Sequence, residues 1–324
     1  MTLSLQSLDS SLKSLNAGTA TVRYIALAQA DSKKRLDMTL GPVSLIVRNL
    51  EEMLDFYVKG LGLKIGANSG DQVELLPSKE FHEPLLILRS NAKAEMAPTD
   101  AAGLYHYALL LPDRRSLAAA YLSLGKAGVL FDGHADHLVS EALYLTDPEG
   151  NGIETYADRP RDRWKFDEDG QVQMATQPLD IDSLLQELSG APQENLTAIP
   201  ETTRVGHIHL KVSNLERSVA FYHQLLGLDL MSYWGNAAFL SVSGYHHHIG
   251  MNTWESLSGA ARRTDWSGLE FFTMKMAETR AGEISARLPD SPYVYSVESD
   301  RLFLSDPDGI ELVIRTLTVS GMTV

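Results

Sequence analysis

The chain repeats itself at a fixed spacing. The segment GPVSLIVRNLEEMLDFYVKGLGLKI begins at Gly41 and GHIHLKVSNLERSVAFYHQLLGLDL begins at Gly206, so two copies align without a gap at an offset of 165 residues. Asn49-Leu50-Glu51 recurs as Asn214-Leu215-Glu216, Phe56-Tyr57 as Phe221-Tyr222, and Gly62 as Gly227. The same offset relates GLYHYALLLPD at Gly103 to GLEFFTMKMAE at Gly268. Near its end each half carries a similar turn, Asp147-Pro148-Glu149-Gly150 and Asp306-Pro307-Asp308-Gly309. A repeat of this kind fixes architecture before any single residue does, because every copy must bury the same faces in the same way.

Each copy reads as an alternating strand, an N-capping Asn, an amphipathic helix closed by Gly, and further strands separated by turn residues. In LERSVAFYHQLLGL the residues Leu215, Val219, Tyr222 and Leu226 form one apolar stripe, and Gly227 supplies the C-terminal cap. The Asp-Pro-x-Gly segments are reverse turns that deliver the chain into a last strand carrying Glu154 or Glu311. The unit is therefore βαβββ, present four times, which predicts an α+β fold of two domains with curved mixed sheets. A length of 324 residues also suits two domains. The expected ranges are a leader over 1–38, a first two-module domain over 39–157, a polar connector with one short helix over 158–203, and a second two-module domain over 204–317. The leader lacks a basic start followed by an apolar core and does not read as a secretory signal. Met38 stands directly before the first patterned segment, so a start site placed too far upstream is the other reading.

Composition narrows the function classes. With 42 acidic against 28 basic residues the net charge is −14, so no basic field attracts a phosphate backbone or an anionic membrane surface. No apolar run reaches the ~18 residues needed to span a bilayer. The chain has no cysteine, so any metal must sit on His, Asp or Glu. A reducing cytoplasm fits that composition.

The segments GLYHYALLLPD, DHLVSEALYLTDPEGNGIETYADRP, GHIHLKV and GYHHHIGMNTW, with the four modules that hold them, resemble the vicinal oxygen chelate superfamily of glyoxalases, bleomycin-resistance proteins and extradiol ring-cleaving dioxygenases. Bacterial two-domain catechol-2,3-dioxygenases are the closer likeness, over roughly residues 39 to 316. The resemblance implies a metal held in a cup of two paired modules, with one ligand position on the first strand and one on the last strand of each. Module one offers Pro42 and Ile87, which cannot bind a metal. Module two offers His106 and Glu154, module three His207 and His248, and module four Phe271 and Glu311.

Two pairings stay open. Modules joined in order would give His207, His248 and Glu311 in one cup, whereas a crossed arrangement would gather His106, Glu154, His207 and His248. Crossing is favoured because it accounts for the adjacency of the two ligand-bearing modules. Strand alternation through GYHHHIG places His246 and His248 on one face and His247 on the other. His209 shares a face with His207 and is expected to help orient the ligands, as is His246. The resemblance also places acid-base or orienting groups at His137 and Tyr144, and His246 is a further catalytic candidate. Trp234 and Trp254 read as pocket walls or packing.

Imidazole and carboxylate ligands suit Fe(2+) first, then Mn(2+), Ni(2+) or Zn(2+). Three protein ligands leave room for both oxygens of a diol and for O2, which points to extradiol cleavage of a small aromatic substrate. Four would suit a glyoxalase-type isomerase or lyase better, and a metal-free module that binds aromatic drugs is the reading outside enzymology. A homo-oligomer is compatible with all three.

Overall fold

The computed structural model describes residues 38–168, 170–190 and 196–317, and the leader expected ahead of Met38 lies outside the described residues. Module one runs β1 (Met38–Val47), α1 (Leu50–Leu54), β2 (Lys64–Asn68), β3 (Gln72–Leu76) and β4 (Leu86–Ser90). Module two follows with β5 (Gly103–Leu110), α2 (Arg114–Lys126), β6 (Gly133–Asp136), β7 (Ser140–Thr146) and β8 (Gly152–Asp158). The connector holds β9 (Gln177–Pro178) and α3 (Ile181–Gln186). Module three is β10 (Arg204–Lys211), α4 (Leu215–Val219), β11 (Asp229–Tyr233), β12 (Ala237–Ser241) and β13 (Ile249–Asn252). Module four is β14 (Gly268–Ala277), α5 (Glu278–Arg287), β15 (Tyr295–Glu298), β16 (Arg301–Ser305) and β17 (Glu311–Leu317).

The repeated signatures are the two halves of one joint. Asn49 and Asn214 cap α1 and α4 by accepting the N–H groups of Glu52 and Arg217. Both helices then widen into a π-type turn, over Asp55–Gly60 and Ala220–Leu225, and stop near Gly62 and Gly227 at positive φ. The widened turn buries Tyr57 and Tyr222, whose hydroxyls donate to Asp147 at 2.7 Å and Asp306 at 3.2 Å in the Asp-Pro-x-Gly turns. The third turn residue completes each joint: Glu149 accepts the Arg48 and Asn49 N–H groups at 2.7 Å, and Asp308 accepts that of Ser213 at 2.9 Å. Sequence neighbours, module one with two and three with four, are thus locked helix to turn.

The sheets obey a different pairing. One has the order β11-β12-β13-β10-β5-β8-β7-β6-β9, and the other β15-β16-β17-β14-β1-β4-β3-β2. Module two pairs with three through antiparallel β5 and β10, and module one with four through antiparallel β1 and β14. This is the crossed arrangement. Inside each module the first strand runs parallel to the last. Leu45, Leu109, Ile208 and Phe272, from the central strands of both sheets, share one apolar core, and their opposite faces form two cups. The architecture is α+β, with two glyoxalase-like domains.

Candidate metal centre and cavity

Three neighbouring strands build the centre. Ala108 on β5 stands beside Glu154 on β8 and beside His207 on β10, and His106 lies two residues back along β5 on the same face. The buried alanine methyl lets longer side chains on both flanks close over it. His106 Nε2 and His207 Nε2 each lie 3.1 Å from Glu154 Oε2, and the ligand-capable atoms of all three fall within 4.8 Å of one another. Burial lowers the His207 imidazole to about 4 against the pull of Glu154. Burial alone would raise the Glu154 carboxyl, but His207 and His106 outweigh it and hold it well below the usual range. Neutral imidazole beside ionised carboxylate is the protonation state a divalent cation requires.

The donor set fits such an ion. His106 Nε2 is buried yet not aligned to donate to Glu154, so it has no hydrogen-bond partner among the described residues. An orphaned buried nitrogen beside a carboxylate is costly unless a cation lies between them.

The position expected to hold a fourth ligand carries none. His209 pairs with Gly250 across β10 and β13 as Ala108 pairs with Glu154, so Gly250 occupies the place of the carboxylate. The His209 ring lies over it, and a Cβ added at Gly250 would sit 3.0 Å from His209 Cγ. His248, expected there from strand alternation, is not brought into the group. Its Nδ1 is bonded to Ser241 Oγ at 2.6 Å, and burial lowers its imidazole to about 3. Alternation fails because Ser243 at φ 54° and Gly244 at φ 66° form a turn, and the chain enters β13 only at Ile249. The Ser-Gly pair was the available signal.

The same turn exchanges the neighbours. His247 lines the cavity with its ring 4.2 Å from that of His207, whereas His246 is buried outside the cavity lining. His209 also lines the cavity, and its Nε2 accepts from Asn252 Nδ2 at 3.0 Å. It makes no hydrogen bond to a ligand residue.

His137 and Tyr144 do come together. His137 Nδ1 donates to the Ala175 carbonyl at 2.7 Å, so its Nε2 accepts the Tyr144 hydroxyl at 2.6 Å. Burial, and then the charge of Glu154, push the Tyr144 phenol well up, so it remains a donor. Ala175 belongs to the connector, which lays Met174 and Thr176 along the cavity wall. The cavity measures about 630 Å³, and Tyr105, Trp234, Phe239 and Trp254 form its aromatic side.

The other cup is apolar at the corresponding places. Phe271 matches His106, and the pairing of Thr273 with Val313 puts Val313 where Glu154 would be. Glu311 lies one notch away, at the place of Gly152, and accepts a hydrogen bond from Ser305. Pro42 and Ile87 complete a set that holds no ligand.

The sequence profile of the Glyoxalase/Bleomycin resistance protein/Dioxygenase superfamily matches residues 39–155 and 204–314. The chain belongs to this superfamily. Among its members it is 40% identical over 275 residues to the catechol-2,3-dioxygenase of Bacillus subtilis (strain 168), covering 84% of this chain and 94% of that protein. It is 26% identical over 218 residues to the metapyrocatechase of Geobacillus stearothermophilus, covering 65% of this chain and 59% of that protein. The crystal structure of glyoxalase I from Zea mays shares the fold at a TM-score of 0.52 and 13% identity, over 90% of this chain and 95% of that one. Among the described residues of this superfamily member, no helix is long and apolar enough to cross a membrane.

Proposed function

We propose that the protein is a metal-dependent extradiol dioxygenase that opens a catechol-type ring with O2, working in the cytoplasm. The ligand count carries the reading. His106, Glu154 and His207 converge while Gly250 stands at the fourth position. Three protein groups on a six-coordinate ion leave places for two diol oxygens and for O2, whereas four would favour isomerase chemistry of the glyoxalase type. The 40% identical relative is a catechol-2,3-dioxygenase, which supports the same choice. Fe(2+) is the favoured ion and Mn(2+) the second. When bound, the metal acts as a Lewis acid toward the diol and as the electron conduit to O2.

The chain's own residues supply the rest. His247 lines the cavity beside His207 as a neutral imidazole, since burial and the neighbouring histidines lower it well below its ordinary value. It is the group placed to take a diol proton. Tyr144, whose hydroxyl hydrogen is given to His137, presents its oxygen as a hydrogen-bond acceptor on the other side of the centre. Both oxygen atoms of O2 enter the ring-opened product, so no external reductant is needed. Oxygen uptake with catechol by protein purified without oxygen tests the reading. One O2 consumed per catechol with a yellow ring-opened product is expected, and activity on a hemithioacetal without uptake would replace it with the isomerase.

A further inference from the structure

His246 is fully buried outside the cavity lining and bonded at both ring nitrogens. Its Nε2 lies 3.1 Å from Asp158 Oδ1, and its Nδ1 lies 2.8 Å from His247 Nδ1. A carboxylate oxygen can only accept, so the hydrogen on His246 sits at Nε2. When His246 is neutral its Nδ1 is bare, and the hydrogen in the contact between the two rings then belongs to His247 Nδ1. That leaves His247 Nε2 as the unprotonated nitrogen of a ring lining the cavity.

The chain of bonds is anchored at its outer end. Asp158 Oδ1 also accepts from Tyr245 at 3.2 Å, and Tyr245 is bonded to Tyr156 at 2.8 Å. Burial, first of all, keeps both phenols protonated as donors. The Asp158 side chain is 25% exposed, against 1% for His246, so this end of the chain reaches water.

We propose that Asp158, acting through His246, is a positioning residue that fixes the tautomer of His247 so that its bare Nε2 serves the cavity. The arrangement follows the logic by which a buried aspartate orients the histidine of a hydrolytic triad, with one imidazole inserted between them. Its role in turnover rests on the extradiol reading, whereas the tautomer itself does not.

Nitrogen-15 NMR of histidine-labelled, full-length protein loaded with diamagnetic zinc reads the tautomer directly, with His247 assigned by its loss in His247→Gln. The expected spectrum has a protonated Nδ1 and a bare Nε2. Asp158→Ala should mix the tautomers and lower kcat about 10- to 100-fold in the iron-loaded enzyme, with KM and metal content unchanged. Asp158→Asn, whose amide can donate to His246 Nε2, should shift His247 toward the tautomer protonated at Nε2 and lower kcat at least as far as Asp158→Ala does. His246→Phe retains a ring in the buried space and should reproduce the Asp158→Ala spectrum if the alanine variant folds poorly. A wild-type His247 protonated at Nε2, or a spectrum and kcat unmoved by Asp158→Ala and His246→Phe, would overturn the proposal. Absence of oxygen uptake in the wild type would defeat the extradiol reading alone, and the spectrum would still decide the tautomer.

Discussion

The two sheets share an eight-strand plan, which β9 extends in one of them, and among the described residues only that one gathers a candidate ligand set. Where modules two and three meet, His106, Glu154 and His207 converge over Ala108. Where modules one and four meet, the corresponding places carry Phe271, Val313, Pro42 and, at the alanine position, Thr273. The difference teaches that the fold supplies the cup while side chains at four strand positions decide whether it is a site. Crossing the modules is what brings the two ligand-bearing ones face to face. Without it, His106 and Glu154 would share a cup with Pro42 and Ile87.

Replacing a ligand should erase the contrast between the cups. Glu154→Ala and His207→Ala are expected to lose the metal and fall below about 1% of wild-type activity, a larger effect than the 10- to 100-fold typical of outer partners. Metal analysis with oxygen uptake checks this. Filling the space under the centre comes next. Ala108→Leu should separate Glu154 from His207, remove metal binding, and cost about 1–3 kcal/mol of stability by overpacking, measured by urea unfolding. The same substitution in the other cup, Thr273→Leu, should leave metal content unchanged.

Acid should distinguish the sheets without any mutation. His207 at about 4 and His248 at about 3 are neutral when folded and charge near 6.5 when unfolded. The unfolded chain therefore binds more protons below pH 6.5, and folding stability of the metal-free protein falls as pH drops. The slope is about 1.4 kcal/mol per pH unit for each such histidine until its folded value is reached. His207 lies on β10 and His248 directly precedes β13, so both sit in modules two and three. Hydrogen exchange at pH 5 should show β5, β8 and β10 losing protection before β1, β14 and β17. The smallest effect belongs to Glu311→Ala, for which metal content and activity should stay within about twofold of wild type, and stability within about 0.5 kcal/mol.

Much of this could be read from the sequence. The 165-residue offset gives the modules, and Asn49 with Asn214 and Gly62 with Gly227 mark the helices that form. His106, Glu154 and His207 sit within strands, and alternation holds over His106–Ala108 and His207–His209, between the two irregularities of the β5–β10 ladder. His248 does not, because the Ser243-Gly244 turn resets the phase ahead of β13. That single irregularity exchanged the places expected for His246 and His247, and hid Gly250 as the fourth position. The bonds from Tyr57 to Asp147 and from Tyr222 to Asp306 were also out of reach, although all four residues stand in the repeated signatures. Pairing a helix with a turn about 90 residues away needs the tertiary fold.

The most direct test of one three-ligand centre in the crossed cup is the metal stoichiometry of anaerobically purified wild type, Glu154→Ala and Glu311→Ala, each followed at once by oxygen uptake with catechol. The account predicts one iron or manganese per chain with uptake in the wild type and in Glu311→Ala, and neither in Glu154→Ala. Metal retained by Glu154→Ala and lost from Glu311→Ala would contradict it.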